Sequence, residues 1–293
     1  MATRSKPAKG LNVRFGLNLL VHVGAFAKKD LALIPRAAEM GFDGVEVPLT
    51  DLDVVDTAAT RKACQKAGLG VTTCAILVPG TGLCAEDAAE RRAGVERIRR
   101  LVAMTAEIGG AVCAGPLYAP VGYLPGRPPT DRERAWCVEG LRAAAGPAEK
   151  AGVVLAIEPI NRFETYVANT AAQASEIVQA VDSPNVKLLL DTFHMNIEEK
   201  DSAAAIRRAG PLVGHFHAAE NDRGVPGTGQ VRWKEVFEAL RAIRYGGWVV
   251  IESFAPDVKE LAAAARIWRD VYPSADVLAR DGLAFLKRMA RSA

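Results

Sequence analysis

Residues 188–199 read LLLDTFHMNIEE, an apolar run that changes abruptly into polar and ionisable side chains. The leucines fit a buried strand, because parallel strands that are covered on both faces show little polar alternation. The residues that follow, Asp191 and His194 among them, are types that take part in catalysis and metal binding. A buried strand that ends in such groups is typical of an active site at one end of a parallel sheet.

The same pairing of strand and helix recurs along the chain. Apolar or β-branched runs begin at residues 13, 44, 70, 111, 153, 186, 213 and 248, and segments such as 89–109 and 233–246 between them have apolar residues every three or four positions. The pattern predicts a single (β/α)8 TIM barrel, α/β in class, with residues 1–293 as one domain and 1–11 as a flexible N-terminal tail. The proline- and glycine-rich stretch 119–131 is predicted to be a loop over the site.

An open, doubly wound sheet is the alternative fold, since periodicity alone does not close a barrel. The chain lacks the phosphate-binding pattern G-x-x-x-x-G-K-[ST], and GTGQ at 227–230 does not complete G-x-G-x-x-G. These glycines are therefore expected to shape a turn.

Composition excludes several classes of partner. The net charge is +3 and the basic residues are spread along helical segments such as 89–101, so no nucleic-acid surface is expected. No run approaches the roughly 20 apolar residues of a membrane span. The cysteines number five and are unclustered, which favours a reducing cytoplasm. The basic and apolar N-terminus also resembles a signal peptide, but a first strand over 13–20 explains the same residues and is preferred.

Ionisable side chains stand near the ends of the last four predicted strands: Glu158, Asp191, His217 and Glu252. In a barrel these ends converge on one mouth. Buried carboxylates repel one another, and no lysine lies near these strand ends to neutralise them. The sequence therefore predicts a divalent cation, and oxygen-rich ligation with one nitrogen suits Mn²⁺, Mg²⁺ or Co²⁺.

Each of these residues, taken alone, also has an ordinary interpretation. A carboxylate after a strand is commonly a helix N-cap, and a single histidine is commonly a hydrogen-bonded core residue. His215 and His217 are two residues apart and share one face of a strand, so spacing does not say which of them would bind a metal.

Four stretches resemble the ketose 3-epimerases, the D-tagatose, D-allulose and L-ribulose 3-epimerase group of the xylose-isomerase-like sugar isomerase and epimerase barrels: EPINRFETYVANT (158–170), LDTFHMNIEE (190–199), GHFHAAENDRGVPGTG (214–229) and VIESF (250–254). The run DTFHMNIEE is highly specific. The resemblance implies His217, not His215, as a metal ligand beside Glu158, Asp191 and Glu252. It also implies Glu158 and Glu252 as the acid and base, and it implies sugar contacts from the residues Glu164, His194 and Arg223.

The resemblance implies an isomerase that inverts C3 of a free ketose through a cis-enediolate, with D-fructose/D-allulose, D-tagatose/D-sorbose and L-ribulose/L-xylulose as candidate pairs. Two carboxylates on opposite faces of the sugar would remove and return the proton. The implied cofactor is one divalent ion per subunit, Mn²⁺ before Co²⁺ or Mg²⁺, and the implied assembly is a homodimer or homotetramer. We expect Glu46 behind the metal ligands, and Leu117 and Tyr118 in the wall of the sugar pocket.

Three other functions compete with this interpretation. A metal-dependent aldose–ketose isomerase would use much the same residues, and its product would be an aldose. A phosphodiesterase of the endonuclease type gathers several metals with many histidines, and this chain has four. A noncatalytic sugar-binding barrel would not need two opposed glutamates.

Overall fold

The computed structural model describes residues 10–293, apart from the side chain of Glu260. Eight parallel strands close into a barrel in chain order, each paired with the next and the last with the first. They are β1 (Arg14–Asn18), β2 (Gly44–Pro48), β3 (Gly70–Cys74), β4 (Val112–Gly115), β5 (Val154–Ile157), β6 (Val186–Asp191), β7 (Val213–Ala218) and β8 (Trp248–Ile251). The predicted TIM barrel is confirmed, and the open sheet is wrong.

Helices surround the barrel. The α-helices are α1 (Leu33–Glu39), α2 (Thr57–Ala67), α3 (Ala88–Ile108), α4 (Asp131–Ala151), α5 (Ala171–Val181), α6 (Thr192–Glu198), α7 (Ser202–Ala209), α8 (Trp233–Ala242), α9 (Lys259–Ala264) and α10 (Ala275–Ser292). Their apolar faces and the strands form one large core. Among the described residues, none of these helices combines the length and the apolar character that crossing a bilayer requires.

Helix ends follow local sequence in most places. Gly68 and Gly109, both with positive φ, follow the last residues of α2 and α3 and cap these helices. α8 ends at Ala242, before the end of the periodic segment 233–246, because Arg244 takes a left-handed conformation with φ of 57° and turns the chain into β8. The last turn of the apolar pattern thus belongs to a connection.

Tight packing closes the barrel beneath the site. β1 pairs with β8 from Arg14 opposite Trp248 onwards. A Cβ atom at Gly44 would lie 2.5 Å from the Trp248 ring, and one at Gly70 would lie 2.7 Å from it. The indole therefore fills the barrel floor because two neighbouring strands carry glycine where they meet it.

The predicted tail and loop have different outcomes. Residues 1–9 of the predicted tail lie outside the described residues, and Leu11 donates a backbone hydrogen bond to Ala290 at 2.8 Å, on α10. The stretch 119–130 connects β4 to α4 without a helix or strand of its own. Val121 of this loop lines the cavity at the barrel mouth, as a loop over the site requires.

Candidate active site

The four residues predicted as metal ligands meet at the C-terminal mouth of the barrel. Glu158 follows β5, Asp191 ends β6, His217 lies in β7 and Glu252 follows β8. All four side chains are buried, and one ligand atom from each lies within 4.8 Å of the others. The apolar run of β6 therefore ends in ionisable groups because its last residue reaches this cluster.

Asp191 is both the N-cap of a helix and a member of the cluster. Its Oδ1 accepts a hydrogen bond from the backbone N–H of Phe193 at 2.8 Å, which caps the N-terminus of α6. Its Oδ2 faces the cluster and accepts from Arg223 at 2.8 Å. Capping thus fixes the carboxylate in the orientation that the site uses.

The cluster fits a divalent cation. Glu158 Oε1 and His217 Nδ1 are buried and make no hydrogen bond with any residue between 10 and 293. Buried polar atoms in proteins nearly always have a polar partner, so an ion bound between these two atoms would supply the partner that each of them lacks. Three carboxylates and one imidazole form the oxygen-rich set that Mn²⁺, Mg²⁺ and Co²⁺ accept. These residues would hold such an ion.

Glu46 separates the two histidines of β7. Its Oε2 lies 2.7 Å from His215 Nε2, and its Oε1 lies 2.7 Å from His217 Nε2. His217 Nδ1 points the other way and lies 3.3 Å from Glu252 Oε1. Glu46 therefore stands behind His217, as expected, and Nδ1 of the ring faces the carboxylates. Burial opposes ionisation of Glu46, but the two imidazoles lower its pKa well below the usual value.

Glu158 and Glu252 differ in their affinity for protons. Burial and the charge of Glu252 raise the pKa of Glu158 well above its usual range. Burial also acts on Glu252, but His217 and Arg223 outweigh it and lower the pKa of Glu252 to about 2. The cluster thus contains one carboxyl group that favours its proton and one that remains ionised.

Arg223 lies on the connection after β7. Its Nη1 donates to Asp191 Oδ2 and to Glu252 Oε2, both at 2.8 Å. The guanidinium packs against two aromatic rings, 3.9 Å from the centroid of Phe193 and 4.8 Å from that of Phe254. This buried cation neutralises two of the carboxylates and leaves Glu158 Oε1 without a donor.

His194 lies on the same side of the cluster as Glu158 Oε1 and presents a ring nitrogen towards it. The backbone N–H of Asn161 donates to His194 Nδ1 at 3.1 Å, so the proton of the neutral ring is assigned to Nε2. Nε2 lies 3.7 Å from Glu158 Oε1. Burial and the charge of Arg223 keep the pKa of His194 well below its usual value, which favours this neutral form.

The cavity above the cluster has a volume of about 160 Å³. Glu164 lines it, and its carboxylate accepts a hydrogen bond from Asn161 Nδ2 at 2.8 Å. The rest of the wall is largely apolar, from Leu20, Ala75, Ile76, Pro116, Val121, Ile160, Leu261 and Ala264. All three residues predicted to bind the sugar thus face the cavity or its floor.

The expectation that Leu117 and Tyr118 form the pocket wall is wrong. Both side chains are fully buried and neither lines the cavity. Gly115, with φ of 137°, and the turn in which Leu117 N–H donates to the Gly115 carbonyl direct the chain away from the mouth. The Tyr118 hydroxyl instead donates to the backbone carbonyl of Glu158 at 2.8 Å, behind the site.

Asn18 is a site residue that sequence reasoning missed. It ends β1 and is fully buried, and its Nδ2 donates to Glu46 Oε1 at 3.0 Å and to Glu252 Oε1 at 3.3 Å. The signal was present, because Asn18 is a polar residue at the end of an apolar strand, like the four cluster residues. Attention to ionisable types alone passed over it.

The fold and the site together define a class of protein. The chain belongs to the xylose isomerase-like TIM barrel family, whose model matches residues 34–289. The family assignment agrees with the closed eight-stranded barrel and with the buried cluster at its C-terminal mouth.

Individual relatives narrow this class. A probable ketose 3-epimerase of Synechocystis is 38% identical over 276 residues, which cover 94% of this chain and 96% of the relative. D-psicose 3-epimerase of Agrobacterium fabrum is 39% identical over 86% of this chain and 90% of its own. The crystal structure of a Methylomonas D-allulose 3-epimerase in complex with D-allulose superposes with a TM-score of 0.90 at 31% identity, over 96% of this chain and 99% of that one. The chain is therefore an enzyme of the isomerase class.

Proposed function

We propose that this enzyme epimerises C3 of a free ketose and that Glu158, Asp191, His217 and Glu252 hold one divalent cation, Mn²⁺ by preference. The observation that carries the proposal is the pair Glu158 and Glu252. They follow β5 and β8, which are not neighbours in the barrel, and one oxygen of each lies within 4.8 Å of the other beside the cavity. The names of the relatives support the same reaction.

Epimerisation needs one group ready to accept a proton and another ready to donate one on the opposite face of C3. In this scheme the pair Glu158 and Glu252 carries one exchangeable proton, so one glutamate takes the C3 proton from one face while the other delivers its proton to the opposite face. In the reverse reaction the two exchange roles, and the planar intermediate does not need to turn over.

Charge that develops on the ketose oxygens requires stabilisation. A bound divalent cation would polarise the C2 carbonyl and make the C3 proton more acidic. Arg223 and His194 supply fixed polar groups beside the cation, and Arg223 Nη2 lies 3.3 Å from His194 Nε2. Glu164, held by Asn161, accepts hydrogen bonds from sugar hydroxyls at the cavity wall.

The cavity favours an uncharged sugar. Among the described residues that line it, Arg223 is the one arginine or lysine, and its guanidinium is already engaged by Asp191 and Glu252. A sugar phosphate would bury its charge against an apolar wall without a cation. This supports a free ketose as substrate.

The test begins with protein stripped by a chelator and restored with Mn²⁺, Co²⁺ or Mg²⁺. It is incubated with D-fructose, D-tagatose or L-ribulose, and products are resolved by chromatography. We expect a metal-dependent C3 epimer, its loss in Glu158→Gln and Glu252→Gln, and full activity in the exposed control Glu235→Gln. Aldose products would replace the proposal with an aldose–ketose isomerase, and unchanged sugars with every metal would refute it.

A further inference from the structure

Glu220 is a buried carboxylate outside the cluster. It follows β7, its side chain is fully buried, and none of the ion pairs described between residues 10 and 293 includes it. An unpaired buried charge is unfavourable unless hydrogen bonds satisfy it. Glu220 lies three residues before Arg223, on the same connection after β7.

The Glu220 carboxylate accepts four N–H groups. Oε1 accepts from the backbone of Asn221 at 3.1 Å and of Val231 at 3.0 Å. Oε2 accepts from the backbone of Gly227 at 2.8 Å and from the Trp233 indole at 2.9 Å. These donors come from both ends of the stretch 221–233, so one side chain ties the whole connection between β7 and α8 together.

The glycines of GTGQ fit this arrangement. Gly227 has φ of 94° and supplies one of the donors. A Cβ atom at Gly229 would lie 2.2 Å from Asn221 Oδ1 and 2.7 Å from Glu220 Cγ. The predicted turn is therefore wound around Glu220, and glycine is needed where the backbone passes its side chain.

Arg223 sits inside this connection in a strained conformation. Its φ is 65°, in the left-handed region that residues other than glycine avoid. Such strain persists where the surroundings fix the backbone. Here the Arg223 N–H donates to the Glu220 carbonyl at 3.0 Å and the Ser253 hydroxyl donates to the Arg223 carbonyl at 2.7 Å.

We propose that Glu220 is a positioning residue: by gathering the N–H groups of the 221–233 connection, it holds Arg223 in the left-handed conformation that places the guanidinium between Asp191 and Glu252. The role in turnover rests on the proposed function. Glu220 touches neither the cavity nor the cluster, and it acts through the backbone of Arg223.

The direct test is Glu220→Gln. An amide in place of the carboxylate presents a donor to two of the four N–H groups, so at least two hydrogen bonds are lost. We expect kcat/KM to fall by about tenfold to a hundredfold, because a small displacement of a positioned group can lower the rate by up to about a hundredfold. The matched control is Glu235→Gln, the same change on the exposed side of α8. If Glu220→Gln fails to fold, Trp233→Phe removes one donor and keeps an aromatic side chain at that position.

A double-mutant cycle with Arg223→Lys separates positioning from general stability. If Glu220 acts through Arg223, Glu220→Gln should lower kcat/KM less than threefold in the Arg223→Lys background. Losses that multiply in the double variant would overturn the proposal, and so would a kcat/KM within twofold of the wild type in the folded Glu220→Gln enzyme.

Amide hydrogen exchange does not depend on the substrate. Faster exchange at Gly227 and Val231 in Glu220→Gln, compared with Glu235→Gln, is expected, and unchanged exchange would overturn the proposal. A wild-type protein that converts no ketose would refute the proposed function, while the exchange result would still decide whether Glu220 holds the connection.

Discussion

Replacing Asn18 by alanine tests how the cluster is supported from below. Asn18 Oδ1 accepts from the Leu20 backbone N–H at 2.9 Å, which fixes the amide so that Nδ2 faces Glu46 and Glu252. Glu46 in turn contacts His217. Two of the four cluster residues are therefore held by one asparagine, directly or through Glu46.

The expected loss can be worked out from these contacts. A hydrogen bond to a charged group contributes about 1.5–3 kcal/mol, and we take the lower value because Glu46 keeps Thr72 and Glu252 keeps Arg223 as donors. Two such bonds and the Leu20 contact give about 4 kcal/mol. For a barrel of this size that corresponds to a fall in Tm of roughly 6 to 7 °C. Mn²⁺ affinity should fall by about tenfold, as for other partners of metal ligands.

Unfolding of the chelator-treated protein by urea and by heat measures the first quantity, and Mn²⁺ titration calorimetry measures the second. Asn12→Ala, the same change at an exposed asparagine, is the control and should alter neither. A loss below 1 kcal/mol together with unchanged Mn²⁺ affinity in Asn18→Ala would refute the supporting role.

Three further outcomes are expected. Hydrogen bonds from Arg127 outweigh burial and lower the pKa of Glu133 from 4.5 to about 2. Glu133 therefore stabilises the fold above pH 4.5, and this contribution disappears as the pH falls towards 2. The difference in urea stability between wild type and Glu133→Gln should shrink over the same pH range. Mn²⁺ at about 100 times its Kd should stabilise the protein by about 2.7 kcal/mol in calorimetric scans, and Asp191→Asn should abolish the shift. D-fructose 6-phosphate should be converted at least about a hundredfold less efficiently than D-fructose in a coupled assay, because none of the described residues that line the cavity offers the phosphate a free cation.

Much of the fold was predictable because its signals are local. Each strand is a short apolar run, and the polar residue that ends it marks the barrel mouth without knowledge of any contact. The choice between His215 and His217 was different, because both lie on one face of β7 and the difference is that Glu46 stands between them. That contact joins β2 to β7, which spacing within one strand does not report.

Connections between elements were predicted less well for the same reason. Tyr118 extends the pattern of β4, but the left-handed Gly115 turns its side chain behind Glu158. Glu220 gave no signal as a single residue, because its role depends on four N–H groups spread over the stretch 221–233. Such roles arise from backbone paths that a pattern of residue types does not encode.

The buried carboxylates around this mouth are neutralised in different ways. Arg223 forms ion pairs with Asp191 and Glu252, and two histidines lie within 2.7 Å of the Glu46 carboxylate. Glu158 Oε1 is the exception, with no hydrogen bond from any residue of the described chain. A carboxylate left in this state is unfavourable by itself and becomes favourable when a cation binds.

This contrast predicts opposite effects for the two glutamates. In chelator-treated protein, Glu158→Gln should leave the free energy of unfolding unchanged or higher, because the amide resembles the protonated carboxyl group that the metal-free site favours and can donate to a neighbouring carboxylate. Glu252→Gln should lower it, because Arg223 and His217 lose an ionised partner. Both should lose Mn²⁺ binding in calorimetry. Equal destabilisation of the metal-free protein by the two substitutions would contradict the assignment of Glu158 as the carboxylate that is stabilised only when the cation binds.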